Sequence, residues 1–248
     1  MKNSLIPYDA LATIYEQWST GDWAYDASLN FYTNYLKSIQ SPLCELGIGT
    51  GRIAFSLASQ FGKTIYGIDE SPQMLSIAQD KFLTAGIESQ LHTVCSNMIH
   101  FSLPEKMNAI YLPFRTIGHL LHREDILQLF SSVYQALEND GIFIFDHYIF
   151  SKEWAEAHNM KKIQMYNSND TLIEDYYEYD FQNQIMNCKI YLDGVVQSTF
   201  KFSYNEPQYY IDLLAESHFV IEAMYGDFDG SLFNEQSFSQ IYICKKIK

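Results

Sequence analysis

Three groups of residues in this 248-residue chain have the types and spacing to do chemistry. The first is Glu45-Leu46-Gly47-Ile48-Gly49-Thr50-Gly51-Arg52, which joins an apolar extended run (42–46) to an apolar helical one (53–58). Glycines at such a junction admit positive φ and let a ligand approach the main chain closely. The helix that follows begins with unpaired N–H groups. The second is Asp69, which closes the apolar run Thr64-Ile65-Tyr66-Gly67-Ile68. A carboxylate at the end of that strand can take both hydroxyls of a ribose. The third comprises His119, within Thr116-Ile117-Gly118-His119-Leu120, and Asp146-His147, directly after the apolar run 142–145. Ionisable groups that follow buried strands are candidates for proton transfer.

The glycine spacing is not that of a dinucleotide site, which reads G-x-G-x-x-G. Here the order is E-x-G-x-G-x-G. Glu45 at the strand end would repel a pyrophosphate and suits a cationic group instead. With Asp69 for a ribose, the pattern asks for a positively charged nucleoside without phosphates, and S-adenosylmethionine fits.

On residues 45–52, on Tyr66-Gly67-Ile68-Asp69-Glu70-Ser71-Pro72-Gln73-Met74-Leu75, on Asn97-Met98 and on the segment 112–121, the chain resembles the class I S-adenosylmethionine-dependent methyltransferases. The resemblance implies an α/β fold: a seven-stranded Rossmann-like doubly wound sheet with an inserted antiparallel β-sheet. It implies S-adenosylmethionine as cofactor, contacted by Tyr8, Tyr15, Glu45, Gly47, Gly49, Gly51, Arg52, Asp69, Glu70, Met74, Asn97, Met98 and Leu112. Met74 would pack on the adenine. Asn97 stands where the family usually has Asp, and its side-chain oxygen would accept from the adenine amino group. The segment 116–120 is similar to an element of sugar-amine N-methyltransferases, which implies catalytic roles for His119, Asp146, His147 and Tyr15. An amine acceptor is therefore expected, with an oxygen acceptor or a non-catalytic cofactor-binding subunit as alternatives.

Bulk properties narrow the setting. The formal net charge is −14, a surface that repels nucleic acid and anionic membranes. No apolar run reaches the length of a bilayer span, and no leader pattern opens the chain, so a soluble, cytoplasmic protein with a small-molecule partner is expected, with a homodimer open. Cys44, Cys95, Cys188 and Cys244 are far apart and form no C-x-x-C; they are read as small hydrophobes and no metal site is expected.

The elements that must position these groups follow from periodicity. Residues 8–20 read as a lid helix with Leu11, Ile14, Tyr15 and Trp18 on one face, and 26–39 as a second helix. Strands are expected at 42–46, 64–68, 91–95, 107–112 and 142–145, with helices at 51–61, 71–85 and 123–138, the last ending at a Gly141 cap. From about 160 to 205 the period changes to two, with an Asp193-Gly194 hairpin turn, so three or four antiparallel strands are expected; the resemblance to sugar-amine and glycine-type N-methyltransferases, which have an insertion in the same place, implies that they roof the acceptor site. The run Glu174 to Asp180 has two readings: a pocket for a cationic substrate, or one solvated strand face. A helix at 207–217, a strand at 219–225, a loop at 226–230 near the acceptor and a strand at 240–247 would complete the core. The segments are thus 1–150 (cofactor-binding core with lid helices), 160–205 (inserted sheet) and 206–248 (completion of the core sheet).

Overall fold

The computed structural model describes residues 6–168 and 170–246. The central strand β4 (Met107–Leu112) explains the layering. Ala109 and Tyr111 enter one apolar cluster, whereas Ile110 and Leu112 enter another. Successive strand side chains point to opposite faces, so a strand apolar throughout must be covered on both sides. On one side lie α2 (Tyr25–Leu36), α3 (Arg52–Phe61) and α4 (Pro72–Thr84). On the other lie α5 (Arg123–Ala136) and α7 (Pro207–Glu216).

The strands β1 (Leu43–Leu46), β2 (Ile65–Asp69), β3 (Leu91–Cys95), β4, β5 (Leu137–Tyr148), β10 (Phe219–Tyr225) and β11 (Ser239–Lys246) form the seven-stranded sheet. Its order is β10-β11-β5-β4-β1-β2-β3. The pairs β1–β2, β1–β4, β2–β3 and β4–β5 are parallel, and β11 runs antiparallel to both β5 and β10. The order reverses between β1 and β4, which places a crevice at their carboxyl ends. The strands β6 (Lys162–Ser168), β7 (Thr171–Asp180), β8 (Ile185–Leu192) and β9 (Val195–Ser203) form a separate antiparallel sheet of four. Asp193 and Gly194 both have positive φ, 50° and 81°, as a two-residue hairpin turn requires.

Several expectations need correction. The lid is helical only as α1 (Tyr15–Ser19), and residues 7–14 form hydrogen-bonded turns. The left-handed residue after α5 is Asp140, φ 66°, and not Gly141; the stretch 139–141 is an irregularity inside β5. A short helix, α6 (Lys152–His158), follows β5 unannounced, capped by Ser151 Oγ accepting from Trp154 N. Its seven residues are too few for a periodic signature. The 226–230 loop packs Phe228 against Phe31 and Trp23 rather than reaching the acceptor side. Ile247, the expected end of the last strand, lies outside the described residues.

The main correction concerns Asp146 and His147. Strand β5 does not stop before them; it carries both in its ladder with β11, opposite Ile241 and Gln240. They are 1% and 0% exposed. Asp146 faces α2 and accepts from Tyr32 OH (2.6 Å) and from the main-chain N–H groups of Phe114 and Arg115 (2.9 Å each). His147 faces α7: its Nδ1 accepts from Tyr148 N (2.8 Å), so Nε2 carries the hydrogen and donates to Ser203 O (3.0 Å). A second ring proton would meet the Tyr148 N–H head-on. Burial, first, pushes this imidazole down to about 3, with Arg115 and His119 adding to the shift.

Two stability predictions follow from this. Asp146→Ala strands three buried donors and should lower unfolding stability by about 3 kcal/mol or more, read from the urea midpoint. For His147 the folded value lies below the ordinary 6.5. Its neutral ring therefore favours the folded state above about pH 6.5, and this contribution is lost as pH falls toward about 3. His147→Gln keeps a donor for Ser203 O without a titrating proton. Its Tm should fall less between about pH 7 and pH 4 than that of the unaltered chain, and equal slopes would refute the assignment.

Candidate active site

The crevice at the ends of β1 and β4 opens into a cavity of about 930 Å³ that runs from the glycine turn to the underside of the four-stranded sheet. At one end, Gly47, Gly49 and Gly51 have φ of 63°, 55° and 77°. At Gly49 the nearest atom to an added Cβ would be Tyr15 Cε1 at 3.8 Å, so the restriction there is conformational and the space beside the main chain is free. Asp69 is fixed by two main-chain donors, Gly49 N to Oδ2 (2.8 Å) and Ser71 N to Oδ1 (2.9 Å). Burial raises its carboxyl above the usual range, against the pull of those bonds. Ser71 caps α4, accepting from Met74 N at 3.1 Å. Gly47, Gly49, Asp69, Glu70, Met74, Asn97 and Met98 all line the cavity. The Asn97 amide donates to Glu70, and its oxygen accepts from Ile99 N (2.7 Å), which leaves that oxygen one free lone pair.

Four expected cofactor contacts lie outside the cavity lining. Glu45 is 3% exposed and its Oε2 accepts from Ala54 N (3.0 Å) and Tyr111 OH (3.1 Å). It ties β1 to α3 and β4 instead of meeting a cation, and burial pushes its carboxyl up to about 8. Gly51 caps α3 against Ala78. Arg52 donates to Tyr25 O and to Ser28 Oγ (3.0 Å), joining α3 to α2. Leu112 belongs to the core.

The lid closes the cavity through polar bonds at almost every turn. Pro7 O accepts from Ser198 Oγ (2.8 Å) and Tyr8 OH bonds His119 Nε2 (2.9 Å). Asp9 accepts from Ser71 Oγ (2.5 Å), and Glu16 meets Thr50 (3.0 Å) and Lys81 (2.5 Å). Trp18 Nε1 donates to Asp175 (2.7 Å), and Asp22 receives both Arg115 nitrogens (2.5 and 2.7 Å). Tyr8 and Tyr15 line the cavity. Burial holds both phenols protonated by raising them above their ordinary value.

His119 sits at the end of a 3-10 turn (Thr116–His119) after β4 and lines the cavity. Its ring contacts Tyr8, Phe200 and Phe202 at centroid distances of 5.3, 5.3 and 5.0 Å. Burial pushes it down to about 4, opposed by a main-chain bond at Lys201, so it is a neutral imidazole at physiological pH. The expected trio of His119, Asp146 and His147 does not assemble, because only His119 reaches the cavity. The partner beneath the inserted sheet is Asp175, with Tyr177 and Tyr179. Of the two readings of the 174–180 run, the alternation serves both: Asp175 turns inward, while Glu174 pairs with Lys162 (2.7 Å) in a partly exposed position. Asp22 and Arg115 were not foreseen, since nothing in the local pattern marks the left-handed turn at Phe114 and Arg115, φ 58° and 62°.

Comparison with known proteins agrees with this geometry. Residues 43–141 match a family model described as "Methyltransferase domain". A protein of Geobacillus sp. (strain WCH70), named as a candidate methyltransferase, is 29% identical over 146 residues, 56% of each chain, so the match spans little more than half of that relative. A solved S-adenosylmethionine-dependent methyltransferase from Clostridium acetobutylicum ATCC 824 superposes with a TM-score of 0.81 at 16% identity, over 97% of this chain and 99% of that one. The S-adenosylmethionine-bound amino pentose methyltransferase CalS10 of Micromonospora echinaspora gives 0.69 at 13% identity, over 94% and 97%. Residues 43–141 are thus similar to a methyltransferase domain, and the chain has the fold of the class I S-adenosylmethionine-dependent methyltransferases.

Proposed function

We propose that the chain is an S-adenosylmethionine-dependent methyltransferase that methylates a small-molecule amine. The observation that carries this reading is the continuity of one cavity. It joins the glycine turn and Asp69 at one end to His119 and Asp175 under the inserted sheet at the other. The residues fit the cofactor. The free space beside Gly49 admits a main-chain contact, Asp69 is fixed by main-chain donors and could take the ribose hydroxyls, and Met74 and Met98 offer polarizable faces for a base. When bound, S-adenosylmethionine supplies a methyl group already activated on a positively charged sulfur.

The chain's own work is then alignment and exclusion of water. Holding two reactants in attack geometry contributes roughly 7–11 kcal/mol to lowering a bimolecular barrier. The lid, laced to α4, β7 and the 114–119 turn, is the element that closes the space. The neutral His119 imidazole, bonded to Tyr8 OH and to the main chain at Lys201, fixes the lid phenol against the acceptor end of the cavity. Amine rather than hydroxyl is favoured by the buried carboxylate facing the same space. No described helix is long and apolar enough to cross a membrane. The net charge of −14 disfavours nucleic acid as acceptor.

Titration calorimetry tests the reading. The unaltered chain should take up S-adenosylmethionine, and Gly49→Val, which forces a branched side chain into left-handed backbone at the ligand face, should weaken that uptake at least ~100-fold. Uptake of a phosphate-bearing nucleotide in place of S-adenosylmethionine would overturn the proposal. His119→Ala should leave cofactor affinity within about threefold and lower kcat on the amine by ~100-fold. Turnover at the unaltered rate would remove His119 from the mechanism.

A further inference from the structure

Resting on that reading, we propose that Asp175 selects the acceptor by binding its ammonium group in the chamber beneath the inserted sheet. Asp175 lies on β7, lines the cavity and is 1% exposed. Its oxygens each hold one neutral donor: Trp18 Nε1 on Oδ1 (2.7 Å) and Tyr177 OH on Oδ2. Among the described residues, no ion pair reaches it. Two basic residues line the cavity, Arg115 and Lys201, and Lys201 is solvent-exposed. Arg115 is held by both oxygens of Asp22, and Lys162 bonds Glu174.

Buried charges are ordinarily paired; Glu45 and Asp146 also lack an ion pair but take main-chain donors and lie outside the cavity lining, whereas Asp175 takes two side-chain donors and faces the cavity. The hydrogen bonds from Trp18 and Tyr177 do not demand a charge, since a neutral oxygen would accept them as well. What the carboxylate adds is charge facing a cavity, and a carboxylate offers roughly four acceptor sites, of which two are used. The walls suit a cation too: Trp18, Tyr177 and Phe200 present aromatic surface, which attracts desolvated ammonium groups.

A second orphan lies in the same chamber. Tyr148 OH is buried and has no hydrogen-bond partner among the described residues, although Tyr148 lines the cavity. Two unsatisfied groups of different kinds, one lacking a counter-charge and one lacking a hydrogen bond, point to a single polar ligand between them. Burial also raises the Asp175 carboxyl to about 6, which suits a further step. The bound ammonium passes one proton to the carboxylate, forming a carboxylic acid and a neutral amine whose lone pair is free to attack.

The test uses the full chain, with and without S-adenosylhomocysteine, titrated by calorimetry with phenethylamine and with its uncharged counterpart 2-phenylethanol. The unaltered chain should bind the ammonium at least tenfold more tightly than the alcohol. Asp175→Asn should reduce that preference to within twofold while S-adenosylhomocysteine affinity stays within threefold. Tyr177→Phe, which keeps the carboxylate, should retain the preference. Equal affinity of the unaltered chain for the two probes overturns the proposal without any variant, as does an undiminished preference in Asp175→Asn or a lost one in Tyr177→Phe. Failure of the unaltered chain to bind S-adenosylhomocysteine would instead overturn the methyltransferase reading, and the amine titration without it would still stand.

Discussion

The Asp146 carboxylate holds the structure together where it matters for the site. Its two oxygens draw in the N–H groups of Phe114 and Arg115, consecutive residues in left-handed backbone, while Tyr32 closes the arrangement from α2. Such conformations cost of order 1–3 kcal/mol each in non-glycine residues and persist only where surroundings over-determine them. Here a buried anion with convergent donors does so. The turn it fixes carries Arg115, which latches the lid through Asp22; Thr116, which packs where Gly47 lacks a side chain; and His119, which reaches the cavity.

Much of the fold was legible because it follows from period and punctuation. Strands β1, β2, β3 and β4 and helices α3, α4 and α5 appear within a few residues of where apolar runs, Ser71-Pro72 and the glycine turn place them. The inserted sheet was announced by alternation, and its last hairpin, β8 to β9, by Asp193-Gly194. What escaped was set by tertiary packing. The end of β5 looks like a catalytic strand edge, yet β11 pairs along it to Tyr148 and covers Asp146 and His147. An acidic or imidazole side chain after an apolar run has the same appearance whether it meets a ligand or a hydrogen-bonded core.

The candidate site divides in the same manner. The positions of Gly49 and Asp69, which meet through a main-chain bond beside the cavity, were legible from local spacing. Glu45 was misplaced because its type was visible and its direction was not: it turns toward Ala54 N and Tyr111 OH. Asp175 was visible only as one of several acids in a run, and the pleat decided which of them faces inward. The lid pairs with residues more than a hundred positions away, as Tyr8 with His119 and Trp18 with Asp175 do, and no local signal encodes such partners.

The four-stranded sheet has a consequence of its own. Its strands are contiguous in sequence, from Lys162 to Ser203; Asp175 and Ser198 tie it to the lid, and Ser203 ties it to the core. There Ser203 Oγ donates to Gly118 O and Leu120 O, and Ser203 O receives His147. The glycine turn, Asp69 and Met74 belong wholly to the other sheet and its helices. The strands of the inserted sheet can thereby vary in sequence without displacing the glycine turn, Asp69 or Met74.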